Sequence, residues 1–289
     1  VISIDNRKLE YRVEENQTAV WHPDFSDPLI TVAPKKWESA FFNRSFATLE
    51  IDSSLLSASN WDALNPFFQK LLQQADRQEI ALIELSLDSR GFGLIPTLEA
   101  AGFRLVDSKV NFLTMINRHQ VIRFDPAVGR LALATPDDLP AMLELTKNCF
   151  VHNPSFFSRF KHPDYFSVRE SERYYCAWIT NHLDDPKSLM AVLHHSEAVQ
   201  GYYFFRKEKD HEALPVYVGK LAAVSPEYLH QGIFQALQTF LFDRIPHDRF
   251  FVDNATQLTN FPVLKNHITA QRRLQSITFI FYRKSPRQG

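Results

Sequence analysis

The chain has 289 residues, with 32 basic and 33 acidic side chains and a net charge of −1 at pH 7. That balance speaks against a nucleic-acid or anionic-membrane surface, and the longest apolar run falls far short of a bilayer span. Glycine is scarce (8) and phenylalanine abundant (25), with neither a GxGxxG nor a GxxxxGK loop, so a large aromatic core is expected and a glycine-rich nucleotide fold is not.

The opening VISIDNRKLEYRVEE is too polar for a signal peptide. Cys149 and Cys176 have no metal-ligand spacing and are expected as free, small core residues of a cytoplasmic protein. Residues 1–35, with Pro23, Pro28 and Pro34, are expected to be irregular or a small edge hairpin. Strands are predicted at Phe46–Asp52 and Ile80–Leu87, with helices at Asn65–Ala75 and Leu94–Ala101, the second closed by Gly102. Phe103–Ile116 completes this block as a paired extended stretch.

After a linker near Asp125–Gly129, Leu131–Ala134 reads as a strand, and Thr135-Pro136-Asp137-Asp138 caps a helix through Ala141, Leu145 and Cys149. Glu170–His182 is predicted as a helix with Tyr174, Ala177 and Trp178 inward. Strands follow at Leu189–His194 and Gln200–Lys207. Val216–Val224 then reads as a buried strand that stops at Ser225-Pro226. Gly232 stands at the mouth of a helix whose Ile233, Leu237, Phe240 and Leu241 recur at helical spacing. A strand that enters a helix through such a turn aims free N–H groups and the positive helix end at one point, which suits a phosphate. A strand at Arg249–Asn254, a helix at Pro262–Ala270 and a strand at Leu274–Tyr282 close the chain. Within the stretch 80–115, residues 82–113 align with 251–282 at a constant offset of 169, pairing Phe92 with Phe261, Ile95 with Leu264 and Phe112 with Phe281 as core positions.

The order of elements over 130–283, with LALATPDDLPAML, LAAVSPEYLHQGIFQAL and NFPVLKNHI, resembles the Gcn5-related N-acetyltransferase (GNAT) superfamily. KWESAFFNRSFATLEI, TLEAAGFRLVDSKVNF, ERYYCAWI and LKNHITAQRRLQSITFIFYRK are together similar to its nucleotide-sugar branch, the TDP-fucosamine acetyltransferases, collinearly from about residue 36 to 284. The resemblance implies an α/β (α+β) GNAT fold with a mixed central sheet over 130–289, preceded by a truncated GNAT-like N-terminal domain over 1–125. It implies an acyl-CoA donor held by Leu221, Ala222, Ala223 and Val224 along the strand. Leu229, His230, Gln231, Gly232, Ile233 and Phe234 would hold it at the turn, and Asn260 nearby. Leu229 stands where the family has Arg or Gln, Phe234 where it has a small residue, and His267 where it has tyrosine.

Acyl transfer to an amine needs a neutral amine, a donor for the carbonyl oxygen and a proton for the leaving thiolate. Main-chain N–H groups of Leu221–Ala223 are the expected carbonyl donors. His267 is the candidate acid, either protonated or as a neutral ring N–H donor, with core packing as its plain alternative. No carboxylate lies on Tyr217–Val224, so no strong base is assigned. For the acceptor, Trp37, Phe42, Tyr165 and Arg173 are candidates for stacking and diphosphate contacts, and Asn254, Thr256 and Gln257 for polar contacts. Phe41, Tyr174 and Trp178 are expected in the core. His162, His194 and His195 are read as surface or scaffold, and no metal is expected. The expected partners are acyl-CoA and a dTDP-linked amino sugar, with no nucleic acid or membrane and with a homodimer left open.

Overall fold

The structure, a computed structural model, describes residues 8–14, 17–52, 61–121, 129–208 and 210–285. Of the expected linker it includes only Gly129. The chain forms two compact units, Val1–Lys109 with Ser276–Gly289, and Val110–Gln275. This division places 110–121 and 276–285 differently from the expected 1–125 and 130–289.

The first unit begins with β1 (Glu10–Glu14), β2 (Gln17–Trp21) and β3 (Ile30–Pro34), an antiparallel meander where an irregular segment or one hairpin was expected. The prolines do not break it, because Pro23 and Pro28 lie between strands and Pro34 ends one. Next come α1 (Lys36–Phe42), β4 (Phe46–Ile51), α2 (Trp61–Arg77), β5 (Leu82–Asp88), α3 (Ile95–Ala100) and β6 (Arg104–Asn117). β6 runs on into the second unit from Val110. Gly102, at φ 88°, closes α3, with Phe103 N–H donating to Leu98 O at 3.0 Å.

The second unit continues with β7 (Arg130–Leu133), α4 (Leu139–Lys147), α5 (Val168–Leu183), β8 (Ser188–His195), β9 (Ala198–Lys207), β10 (Val216–Val224), α6 (Ile233–Phe242), β11 (Arg249–Gln257) and α7 (Phe261–Thr269). β12 (Leu274–Lys284) belongs to the first unit from Ser276 onward. Strand order in the first unit is β1-β2-β3-β4-β5-β12, and in the second β6-β11-β10-β9-β8-β7. Most neighbours are antiparallel, but β4 runs parallel to β5 and β10 parallel to β11.

The first core joins Leu64, Phe68, Leu71 and Leu72 of α2 to Val32, Leu49, Ile83 and Leu85 of the sheet, to Leu98 of α3 and to Phe281 of β12. In the second unit the two sheet faces are covered differently. Ile233, Leu237, Leu241 and Phe242 of α6 pack on Leu193, Tyr203, Phe205, Phe250 and Val252. The opposite face meets α4 and α5, where the Thr146 and Tyr202 hydroxyls lie 2.8 Å apart and His182 tilts against Phe204. α5 begins two residues before the expected Glu170, capped by Ser167, whose side chain bonds reciprocally with Glu170. Its buried stripe is Ser171, Tyr175 and Ile179, not the expected Tyr174, Ala177 and Trp178. The helix is rotated because the Tyr175 hydroxyl reaches Ser158 at 2.7 Å and Ser171 bonds to Phe160 O.

The repeat holds at element level, since β5–α3–β6 and β11–α7–β12 follow the offset of 169. Phe112 and Phe281 are both core residues. Phe92 and Phe261 are not: they are 65% and 73% exposed, Phe92 in the 3₁₀ turn before α3 and Phe261 as the first residue of α7.

Candidate acyl-transfer site

β10 pairs with β11 in parallel only at Val216↔Phe251, Tyr217↔Val252 and Val218↔Asp253. Beyond that point β10 runs on to Val224 and β11 to Gln257 without further pairing, so two parallel strands part. β10 stays joined to β9 on its other side, with a bulge at Lys220 between Gly219 and Leu221. Ser225 N–H donates to Gln200 O at 2.8 Å. By alternation Leu221 and Ala223 turn their main-chain groups to β9, while Ala222 and Val224 turn theirs into the gap. The Val224 carbonyl already accepts a weak bond from Cys149 Sγ at 3.6 Å.

The gap leads to the expected turn. A 3₁₀ turn at Pro226–Tyr228 follows β10, His230 has φ 64° and Gly232 has φ 74° as the N-cap of α6. A Cβ on Gly232 would meet nothing within 4 Å, so one side of the turn is open. The first helical bond of α6 runs from Ala236 N–H to Gly232 O. The N–H groups of His230 to Phe234 therefore have no main-chain acceptor among the described residues. Leu229 is half exposed, and Gln231 Nε2 donates to Glu227 O at 3.2 Å. Ile233 is buried in the core. The Phe234 ring lies 5.1 Å from Tyr203 and 6.0 Å from His267, which accounts for a large side chain at that place.

His267, in the last turn of α7, is 2% exposed between the rings of Phe112 (4.7 Å) and Phe234. Burial, helped by Arg272, pushes its pKa down to about 4. The imidazole is therefore neutral at pH 7, and of the two acid roles expected for it the protonated one is lost. Its Nδ1 is buried without a hydrogen bond among the described residues.

Asn254 and Thr256, expected to line an open end, face the α6 side and are 4% and 5% exposed. Asn254 Oδ1 accepts the Tyr203 hydroxyl at 2.6 Å. Gln257 is half-buried, and Asn260 precedes α7 as its N-cap without a side-chain capping bond. Arg173 is exposed on α5, whereas Tyr165 is buried edge-on to His162. Trp37 and Phe42 belong to the first unit; Trp37 is 45% exposed and stacks on Phe41 at 5.0 Å, while Phe42 is buried against Phe46. His194 is scaffold, its Nε2 lying 2.6 Å from Asp138 Oδ1. Cys149 is half-buried and its thiol is pushed up to about 11 by burial, so it is no nucleophile.

One group of residues was not singled out from the sequence. Where the strands part, Ser188, Arg206, Val218 and Asp253 form one cross-strand row through β8, β9, β10 and β11. Phe250, Val252 and Asn254 face α6, so Asp253 projects from the other face. Beside it Lys220 Nζ lies 2.9 Å from Glu208, and Arg206 bridges Glu208 and Asp185 at 2.8 and 2.7 Å. Phe251 and Asn254 break the apolar–polar alternation of this strand, so neither that facing nor the bulge at Lys220 was readable.

No protein-family model matches the sequence, and no curated protein does either. Among solved structures, the chain is similar to a GCN5-related N-acetyltransferase from Sphaerobacter thermophilus at 13% identity and a TM-score of 0.59, covering 94% of this chain and 81% of that one. It is similar to a tandem GNAT protein from the clavulanic acid biosynthesis pathway at 10% identity and a TM-score of 0.59, covering 93% and 82%. A third likeness is to a GCN5-related N-acetyltransferase from Kribbella flavida, at 10% identity and a TM-score of 0.51, covering 96% and 90%. Identities this low speak for architecture alone. The chain has the GNAT fold, a mixed α/β domain preceded by a shorter GNAT-like one.

Proposed function

We propose that this protein is an acyl-CoA-dependent N-acyltransferase, moving an acyl group to a primary amine by direct attack. The observation that carries the reading is the parting of parallel strands β10 and β11 beyond Val218 and Asp253, with the gap ending at the Gly232 turn. The open N–H groups of His230 to Phe234 at the positive end of α6 fit a pyrophosphate. The gap-facing main-chain groups of Ala222 and Val224 fit the amide-bearing arm of coenzyme A. A donor so fixed places its acyl end back toward the parting point, away from the turn. There the Ala222 N–H is the candidate to meet the carbonyl oxygen as charge develops on it. Neutral His267 is kept as the candidate to donate a ring N–H toward the leaving sulfur.

The names of the similar structures make acetyl the default acyl group, with 3-hydroxybutanoyl as the larger choice. The resemblance to the nucleotide-sugar branch makes the acceptor a dTDP-linked 3-amino- or 4-amino-6-deoxyhexose for surface polysaccharide. Within the second unit, exposed Arg173 fits the diphosphate contact of that reading better than buried Tyr165. A second reading, a tandem-GNAT aminoacyl transferase, is favoured by the likeness to the tandem protein. Against it speaks the balanced net charge, where a tRNA-binding chain should carry a basic surface.

The test is free-thiol release from acetyl-CoA and 3-hydroxybutanoyl-CoA with dTDP-3-amino- and dTDP-4-amino-6-deoxyhexoses. Turnover of one pair is expected. Release only with other amines would remove the sugar assignment. Binding of coenzyme A without release from any amine would make the chain a non-catalytic binding module.

A further inference from the structure

We infer that Asp253 is the proton acceptor for the attacking amine. This rests on the acyl-transfer reading. Asp253 is the last residue of β11 in register with β10, so its side chain leaves the sheet where the strands part. That is the end of the gap farthest from the Gly232 turn, where the acyl carbon of a donor lying in the gap would stand. It faces away from α6, and so away from Asn254, Tyr203 and His267.

Its surroundings leave the carboxylate free for this work. The charged neighbours on that face are tied to one another: Lys220 to Glu208, and Arg206 to Glu208 and Asp185. Against the upward push of burial, hydrogen bonds from Lys220 and Arg206 hold Glu208 below its ordinary value, so it is a poor base. On α5, His182 is pushed down by burial and then by Lys220. Asp253 alone in this group has neither a hydrogen bond nor an ion pair with any described residue. It is half-buried, and burial raises its pKa against the pull of Lys220, which makes it a better proton acceptor than a solvated carboxylate.

The chemistry balances as follows. An alkyl ammonium ion gives one proton to the Asp253 carboxylate and becomes a neutral amine. Its lone pair forms the C–N bond to the thioester carbon, and the C–S bond breaks with its electron pair on sulfur. The second nitrogen proton goes to that thiolate, giving free coenzyme A, and Asp253 returns its proton to water.

The test compares wild type with Asp253→Asn, reading thiol release from acetyl-CoA with a primary alkyl amine accepted by wild type and with hydroxylamine, which is already neutral at pH 7.5. The variant is expected to lose about 10²- to 10⁴-fold in kcat with the alkyl amine, and to stay within about threefold of wild type with hydroxylamine. KM for acetyl-CoA should be unchanged. In Asp253→Ala, added formate should restore part of the lost rate. Equal losses with both amines, or no loss with either, would overturn the role of Asp253. If wild type binds acetyl-CoA and releases no thiol with either amine, the acyl-transfer reading falls, and the role of Asp253 with it.

Discussion

The Tyr203 hydroxyl donates to Asn254 Oδ1 at 2.6 Å across the face of β10, through space that only Gly219 leaves open. A Cβ at Gly219 would overlap both the Asn254 oxygen and the Tyr203 hydroxyl. This glycine is needed for clearance and not for a left-handed backbone. Gly219→Ala should force the buried pair apart and cost about 1–3 kcal/mol as overpacking, read by urea unfolding. If Tyr203→Phe is made first, one of the two overlaps disappears, and the cost of Gly219→Ala should fall by a measurable part of that amount. Additive losses would show that the clash lies elsewhere.

The buried imidazole of His267 makes a prediction about acid. Its folded-state pKa of about 4 lies below the ordinary histidine value, because burial disfavours the charged form. Between those two values the unfolded chain binds more protons than the folded one, so stability rises with pH across this window. Roughly 3 kcal/mol should be lost from this group as pH falls from 6.5 to 4. His267→Phe, which keeps an aromatic ring between Phe112 and Phe234, should flatten that part of the stability–pH curve. An unchanged curve would mean that the ring takes up a proton without penalty. The same variant tests the chemistry: a fall in kcat with KM for acyl-CoA unchanged would support a donor to the leaving sulfur, and an unchanged rate would leave His267 as core packing.

What the sequence made legible was local. The strand-turn-helix at Val216–Phe242, the cap at Thr135 and the terminating glycine at 102 each depend on residues a few positions apart, and they appear as expected. Three things were hidden because they depend on distant residues. The rotation of α5 is set by Ser158 and Phe160, outside the helix. The burial of His267 depends on Phe112, whose partner helix is far along the chain. The membership of β12 was hidden as well. The internal repeat marks Phe281 as a core residue, yet not that it packs with Leu98 of α3. For the candidate site, the turn was readable from its own residues. The parting of β10 from β11 was not, because pairing register is absent from either strand alone.

Gly232 separates backbone strain from ligand contact. Its φ of 74° disfavours any residue with a Cβ, yet nothing within 4 Å would collide with one. Gly232→Ala should therefore cost about 1 kcal/mol of stability from the backbone term alone. A methyl group on the open side would also stand where a pyrophosphate approaches the N–H groups of His230 to Phe234. A weakening of coenzyme A binding by about tenfold or more, read by calorimetry, is expected, since one misplaced N–H contact to a charged group is worth about 1.5–3 kcal/mol. Lost stability with unchanged affinity would move the anion elsewhere.

Arg283 of β12 ties the last strand to α2 and α3 within the first unit. Its two terminal nitrogens each lie 2.8 Å from an Asp76 oxygen, and its Nε donates to Ala101 O at 3.1 Å. Arg283 is 7% exposed, so removing its partner would leave a buried guanidinium with one main-chain bond. Asp76→Ala should cost about 3–5 kcal/mol, the range for breaking a buried pair by removing one member. The double change Asp76→Leu with Arg283→Met should recover much of that, because no charge is then left unpaired. Read by urea unfolding of the full chain, that pattern would show that the pair confers position on β12 more than net stability. If the double variant is no better than Asp76→Ala, the bond from Arg283 to Ala101 O is the one that holds the strand.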